Sequence, residues 1–204
     1  MFESVSTVFV VDDDESVREG LAELIRTIQL NAETFATAHE FLESYDRSRP
    51  GCLLLDARLP GMSGLGLQDE LIARGIALPI IFITGHGDLS MAVEAMKKGA
   101  YDFLEKPVGG QMLLDLINAA LAEDQRRRQT RVEVDAFQGK LALLTSRERE
   151  ILELLKAGKS TTAIAETLEI SPKTVQVHRT GILEKLQIKS VPVLLTALHR
   201  FDMM

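Results

Sequence analysis

At 204 residues, with 46% apolar and 26% charged side chains, the chain has the composition of a soluble globular protein and the length for two compact units. No stretch approaches the roughly 20 uninterrupted apolar residues of a membrane helix. The lone Cys52 rules out an intrachain disulfide, and the start MFESVSTVFVVDDD has no basic region, apolar run and cleavage site of a secretory signal, so a cytoplasmic protein with no membrane partner is expected. The net charge of −7 is unevenly spread: residues 1–124 carry 9 Lys and Arg against 21 Asp and Glu, whereas 140–204 carry 10 against 7. Only the C-terminal part has a balance suited to a phosphate backbone.

From residue 7 to 105, short apolar runs alternate with amphipathic segments. The runs are TVFVV (7–11), a weaker NAETF (31–35), CLLL (52–55), PIIFIT (79–84) and DFL (102–104). Each is short enough for a strand buried on both faces. Helical periodicity marks 16–28, 39–45, 65–74, 89–98 and 111–123, so the order is βα repeated five times. Right-handed crossovers then predict an α/β doubly wound, five-stranded parallel sheet. Thr37 with Glu40 predicts a capping box, Asp88 a cap for the fourth helix and Gly99 its end.

The segment DQRRRQTRVEVDAFQGK has no strong apolar face and is expected to prolong the fifth helix, breaking near Gly139. The domain division is therefore 1–124, a helical linker over 125–139, and a domain over 140–204. In the last, Thr145 with Glu148 caps a helix stopped by Gly158, Ser160 or Thr161 opens a second ending near Leu168, and Ser171-Pro172 opens a third running to Leu186. Ser190 opens a fourth, giving an all-α four-helix domain.

In an open α/β sheet, ligands bind beyond the carboxyl ends of the strands. Here those ends carry Asp12, Asp13 and Asp14, then Asp56, then Thr84, then Lys106-Pro107. Crowded carboxylates repel one another, and a hard divalent cation with oxygen ligands keeps them ionised, which points to Mg²⁺. Alone, the three aspartates also fit a helix start, where acids favour the dipole, and Lys106 fits a surface lysine. What distinguishes them is their convergence at four strand ends.

With VVDD at 10–13, LLLDARLPGMSG at 53–64, IIFITGHGD at 80–88 and FLEKP at 103–107, the first part resembles a two-component receiver domain of flavodoxin-like fold. The resemblance implies Asp56 as phosphoacceptor, with a sensor histidine kinase as donor. It implies Mg²⁺ bound by Asp13, Asp56 and the Arg58 carbonyl, with Asp12 acting through water. Thr84 and Lys106 would hold the phosphoryl group, Phe103 would rotate as the switch, and Lys106-Pro107 would be cis. A carboxylate is a competent nucleophile towards phosphorus once charge on the phosphoryl oxygens is neutralised. VFVVDDDES is also similar to the nucleophile motif of haloacid-dehalogenase-type phosphatases, with Asp12 and Asp14 as nucleophile and acid. That reading lacks the further acidic pair those enzymes need and leaves Asp56 unexplained.

Between residues 161 and 186, TTAIAETLEISPKTVQVHRTGILEKL reads as helix, turn, helix. Ile164, Ala165, Leu168, Ile170, Val175, Ile182, Leu183 and Leu186 fall at core spacing, leaving Lys173, Gln176, Val177, Thr180 and Glu184 outward. Such a mixture suits base edges, phosphates and thymine methyls, and Ser171 and Thr174 sit where a helix N-terminus favours phosphate. From LTSREREI to LEKL and the following IKS, this part resembles the DNA-binding domain of LuxR/FixJ/NarL-type regulators. That implies base contact with double-stranded DNA by Gln176, Val177 and Thr180 and phosphate contact by Lys173 and Arg179, beside Thr174 at the helix start. Gly181 departs from the asparagine common there and costs about 1 kcal/mol of helix propensity.

Together the halves resemble the FixJ branch of response regulators. A non-enzymatic transcription regulator is expected, forming a homodimer on phosphorylation and acting with RNA polymerase. The dimer face is expected at the fourth helix and fifth strand, with Lys97 and Lys98 opposite Asp102 and Glu105. A DNA-binding regulator that ignores phosphorylation is the alternative, and the intact pocket speaks against it.

Overall fold

The three most apolar runs become β1 (Thr7–Val11), β3 (Gly51–Leu55) and β4 (Ile80–Thr84), each buried along its whole length. By contrast, β2 (Asn31–Phe35) and β5 (Asp102–Glu105) are only partly covered. Sheet order explains the difference. In the computed structural model, which describes residues 6–85 and 89–202, the parallel sheet runs β2-β1-β3-β4-β5 and places the two less apolar strands at its edges. NAETF reads weakly as a strand because half of its surroundings are water.

Alternation along the central strands feeds two cores. Phe9, Val11, Leu53, Leu55, Ile80 and Phe82 face one side, where α2 (Ala38–Ser44), α3 (Gly64–Ala73) and α4 (Leu89–Lys97) supply Phe41, Leu67, Leu71 and Ala95. Val8, Val10, Cys52, Leu54, Ile81 and Ile83 face the other, against Ile25 of α1 (Glu15–Arg26) and Leu113, Ile117 and Ala120 of α5 (Gly110–Ala142). Burial pushes the Cys52 thiol far above its usual range, so it packs as a small apolar group.

Register brings the site together. Val11 pairs with Leu55 and Thr84 with Glu105, so Asp12 and Asp56 leave adjacent strands side by side and Lys106 follows the end of β5. The Asp56 N–H donates to the Val11 carbonyl and the Lys106 N–H to the Thr84 carbonyl, both at 2.8 Å. This is the point where strand order reverses between β1 and β3.

The chain divides into Met1–Arg128 and Gln129–Met204. The second unit contains α6 (Ser146–Lys156), α7 (Thr161–Thr167), α8 (Pro172–Leu186) and α9 (Val191–Asp202), packed around Ile151, Ile164, Val175, Ile182 and Leu194. Thr145 and Glu148 form the capping box, Ser160 and Ser171 cap α7 and α8, and Gly158 follows α6 at φ 72°. Two expectations need correction. At α2, Thr37 does accept from the Glu40 N–H, but Glu40 reaches back to the Ala36 N–H rather than to Thr37, so the reciprocal half is displaced by one residue. The helix also does not break at Gly139 but runs to Ala142. Phe137 and Leu141 join the second core on either side of that glycine, and such packing outweighs about 1 kcal/mol of propensity. Asp88 lies outside the described residues. Among the described residues no helix is long and apolar enough to cross a membrane.

Candidate functional site

Asp12 is 2% exposed, yet it is surrounded by donors. Its Oδ1 accepts from the Asp14 N–H at 3.0 Å, its carbonyl accepts from Arg18 Nη1 at 2.7 Å, and its Oδ2 lies 2.7 Å from Lys106 Nζ. The same ammonium lies 3.0 Å from Asp56 Oδ2, while Asp56 Oδ1 accepts from the Arg58 N–H at 2.8 Å. Burial works against the charge on Lys106, but its bonds to Asp12 and Asp56 prevail and raise its pKa above the ordinary lysine value. One cation thus bridges two carboxylates.

Asp12, Asp13 and Asp56 each offer an oxygen within 4.8 Å of the others. An all-oxygen, anionic set of this kind fits a hard divalent cation. Thr84, 1% exposed, closes β4 beside this cluster, and the half-buried Phe103 stacks on Phe82 with ring centroids 5.8 Å apart. Lys106-Pro107 is cis, as the resemblance implies. At Gly64, the first residue of α3, a Cβ would sit 2.3 Å from the Asp56 carbonyl oxygen, so the backbone that carries Asp56 is backed by a residue without a side chain.

In the second unit α8 buries Val175, Ile182 and Leu186 and exposes Lys173, Gln176, Thr180 and Glu184, with Val177 65% exposed. Ser171 Oγ accepts from the Thr174 N–H at 3.0 Å and shares a 2.8 Å hydrogen bond with Thr174 Oγ1.

Residues 8–118 match the response regulator receiver domain and residues 142–198 the luxR family of bacterial regulatory proteins. The chain is a response regulator. It is 46% identical to the transcriptional regulatory protein TdiR of Thauera aromatica, covering 92% of this chain and 82% of that one. It is 43% identical to the transcriptional regulatory protein FixJ of Azorhizobium caulinodans, over 92% and 89% of the two chains. A solved structure of the response regulator StyR, 45% identical, superposes with a TM-score of 0.82 over 96% of this chain and 99% of that one. Receiver and LuxR-type DNA-binding domain therefore coexist in one transcriptional regulator.

Several residues of this response regulator have intrachain partners that local pattern does not show. Asp14 caps α1, accepting from the Ser16 and Val17 N–H groups, so it is occupied by the helix start that the aspartate run also fits. Lys98, expected on a dimer face, is held within the chain by Asp69 and Glu94 at 2.8 Å each. Arg179 is half-buried, with Nη1 2.6 Å from Thr161 Oγ1. Arg18 was missed in the pocket, although its position one turn into the helix after Asp12 is the signal that finds it.

Glu148 does more than cap α6. It also accepts from Lys185 Nζ at 2.6 Å, and a Cβ on Gly181 would lie 3.1 Å from its Oε1. Gly181, where the resemblance leads one to expect asparagine, stands at the place where this carboxylate enters. Burial opposes the charge on Glu148, but Lys185 and the Thr145 N–H and hydroxyl hold its pKa below the ordinary glutamate value.

Proposed function

We propose that Asp56 accepts a phosphoryl group from a sensor histidine kinase and that its phosphorylation controls promoter binding by α8. The observation that carries this reading is Lys106 Nζ held between Asp12 and Asp56, a cation positioned for the oxygens of a group on Asp56. An Asp56 oxygen attacks phosphorus as the bond from phosphorus to the donor nitrogen breaks, leaving an acyl phosphate. Asp13, Asp56 and the Arg58 carbonyl would hold Mg²⁺, with Asp12 acting through water; bound there, the ion neutralises phosphoryl charge. Lys106 takes one phosphoryl oxygen and the Thr84 hydroxyl another. Movement of Thr84 then lets Phe103 turn inward and changes the surface near β5, a two-state bias set by one ligand.

The division of labour is a receiver over 1–124, a helical linker over 125–139 and a DNA-binding domain over 140–204. Phosphorylation favours a homodimer, and two copies of α8 read two half-sites in double-stranded DNA, with gains in effective concentration. Gln176, Val177 and Thr180 face the bases, while Lys173 and Thr174 meet phosphates. At the promoter the dimer acts with RNA polymerase in the cytoplasm, activating transcription.

The test uses duplexes selected from a random pool by the full-length protein. Affinity is then measured for wild type and Asp56→Asn, each with and without acetyl phosphate and Mg²⁺. A gain confined to treated wild type is expected. Equal responses, or none, would leave a DNA-binding regulator that phosphorylation does not control.

A further inference from the structure

We infer that Arg179 and Lys185 are positioning residues that set the rotation of α8 about its own axis, Arg179 through Thr161 of α7 and Lys185 through Glu148 of α6. The need for such residues follows from what α8 buries. Val175, Ile182 and Leu186 are its fully buried side chains, and at about 100° per residue they fall within roughly 40° of one another, with Leu183 packed partly buried about 80° to the Arg179 side. This seam keeps the helix against the core, but apolar contact is non-directional and does not by itself fix the rotation of the helix.

Two directional contacts flank this line. On the helical wheel Arg179 lies about 40° to one side of it and Lys185 about 80° to the other. Each donates at 2.6 Å to a different neighbouring helix, Arg179 Nη1 to Thr161 Oγ1 and Lys185 Nζ to Glu148 Oε2. A roll in either direction stretches one of them. The two ends are held differently. Arg179 is half-buried and its Nε is buried without a hydrogen-bond partner among the described residues, so its guanidinium is held through the Nη1 bond to Thr161. Glu148 is itself held by the Thr145 N–H at 2.8 Å and the Thr145 hydroxyl at 3.0 Å. Gly181, on the Lys185 side, leaves the carboxylate its place.

The exposed face of Lys173, Gln176, Val177 and Thr180 lies opposite the buried line. Side-chain tips stand about 5–6 Å from a helix axis, so a roll of about 20° displaces them by roughly 2 Å. Hydrogen bonds to base edges tolerate only about 0.5 Å of variation. Loss of either tether therefore degrades base discrimination while leaving the charge that attracts DNA in general.

This inference rests on the DNA-binding reading, and its test separates the two. Full-length protein, with acetyl phosphate and Mg²⁺ throughout, selects duplexes from a random pool; affinities are then measured for a selected duplex and a scrambled one across a salt series. Thr161→Val removes the acceptor without touching a charge or the Ser160 cap. Thr161→Val, Arg179→Met and Lys185→Met are each expected to lower the selected-to-scrambled ratio about tenfold, with Thr161→Ser restoring it. The salt slope on scrambled DNA is expected to stay unchanged for Thr161→Val. The inference is overturned if Thr161→Val binds as wild type, or if Arg179→Met weakens both duplexes alike and lowers the salt slope by about 0.9 for each bound protomer, as loss of a phosphate ligand would. Failure to select any duplex overturns the DNA-binding reading itself and this inference with it.

Discussion

In the receiver, Asp12 and Asp56 are held within a hydrogen bond of Lys106, and each leaves a strand whose neighbours fix its position. On α8, Lys173, Gln176, Val177 and Thr180 stand exposed, and the constraints fall instead on the opposite side of the helix. On the proposed function, the difference reflects what each region must do. Phosphoryl transfer depends on a few atoms placed in advance, so the pocket is rigid at the level of side chains. Reading DNA requires a correctly oriented surface whose side chains can adapt to water and base edges, so rigidity there is needed at the level of the helix.

The largest effect that would sharpen this contrast is in the pocket. Lys106→Met leaves two carboxylates facing one another with one of them buried, and a loss of about 2 kcal/mol is expected, below the full penalty because the lysine is partly solvated. Urea denaturation followed by tryptophan-independent circular dichroism measures it, and added Mg²⁺ should recover part of the loss. Unchanged stability would mean that the pocket is no more constrained than the DNA face. On α8, Gln176→Ala should weaken binding to a selected duplex by about 1–2 kcal/mol while moving the denaturation midpoint little, since the side chain is exposed. A large loss of stability would place Gln176 in the scaffold instead.

Acid should act on the second unit through Glu148. Its folded pKa lies below the ordinary value of 4.5, so the stability contributed by its charge is complete above that pH and is lost as pH falls through the folded value. Glu148→Gln should flatten the acid limb of the second unit's unfolding profile; an unchanged limb would show that the carboxylate is not held as the geometry indicates. The smallest effect is expected at Gly181. Alanine there restores about 1 kcal/mol of helix propensity but meets Oε1 of a carboxylate whose Oε2 is held by three bonds. Gly181→Ala should therefore be neutral or destabilising in wild type and stabilising by about 1 kcal/mol in a Glu148→Ala background. Additive effects in that cycle would separate Gly181 from the tether.

Much of this was legible in the sequence because it is periodic or local. Five apolar runs locate the strands to within a residue, and once the strands are in order the acids, threonine and lysine at their ends must converge. Caps at Thr145, Ser160 and Ser171 are equally local and fall where the residue types place them. What escaped is pairing at long separation. Lys98 with Asp69, Lys185 with Glu148 and Arg179 with Thr161 join residues 29, 37 and 18 positions apart, and neither partner announces the other in sequence. The continuation of α5 through Gly139 escaped for a related reason: the local signal there favours a break, and it is overruled by Phe137 and Leu141 packing into a core contributed by residues further along the chain.

Gly64 carries this lesson into genetics. It has no functional group, and a survey of reactive side chains would pass over it. Yet the smallest substitution there drives a methyl group against the carbonyl of Asp56 and the Cα of Ala57. Saturation mutagenesis of the coding sequence should score codon 64 among the least tolerant in the receiver, as silent to inspection as codon 56 is conspicuous.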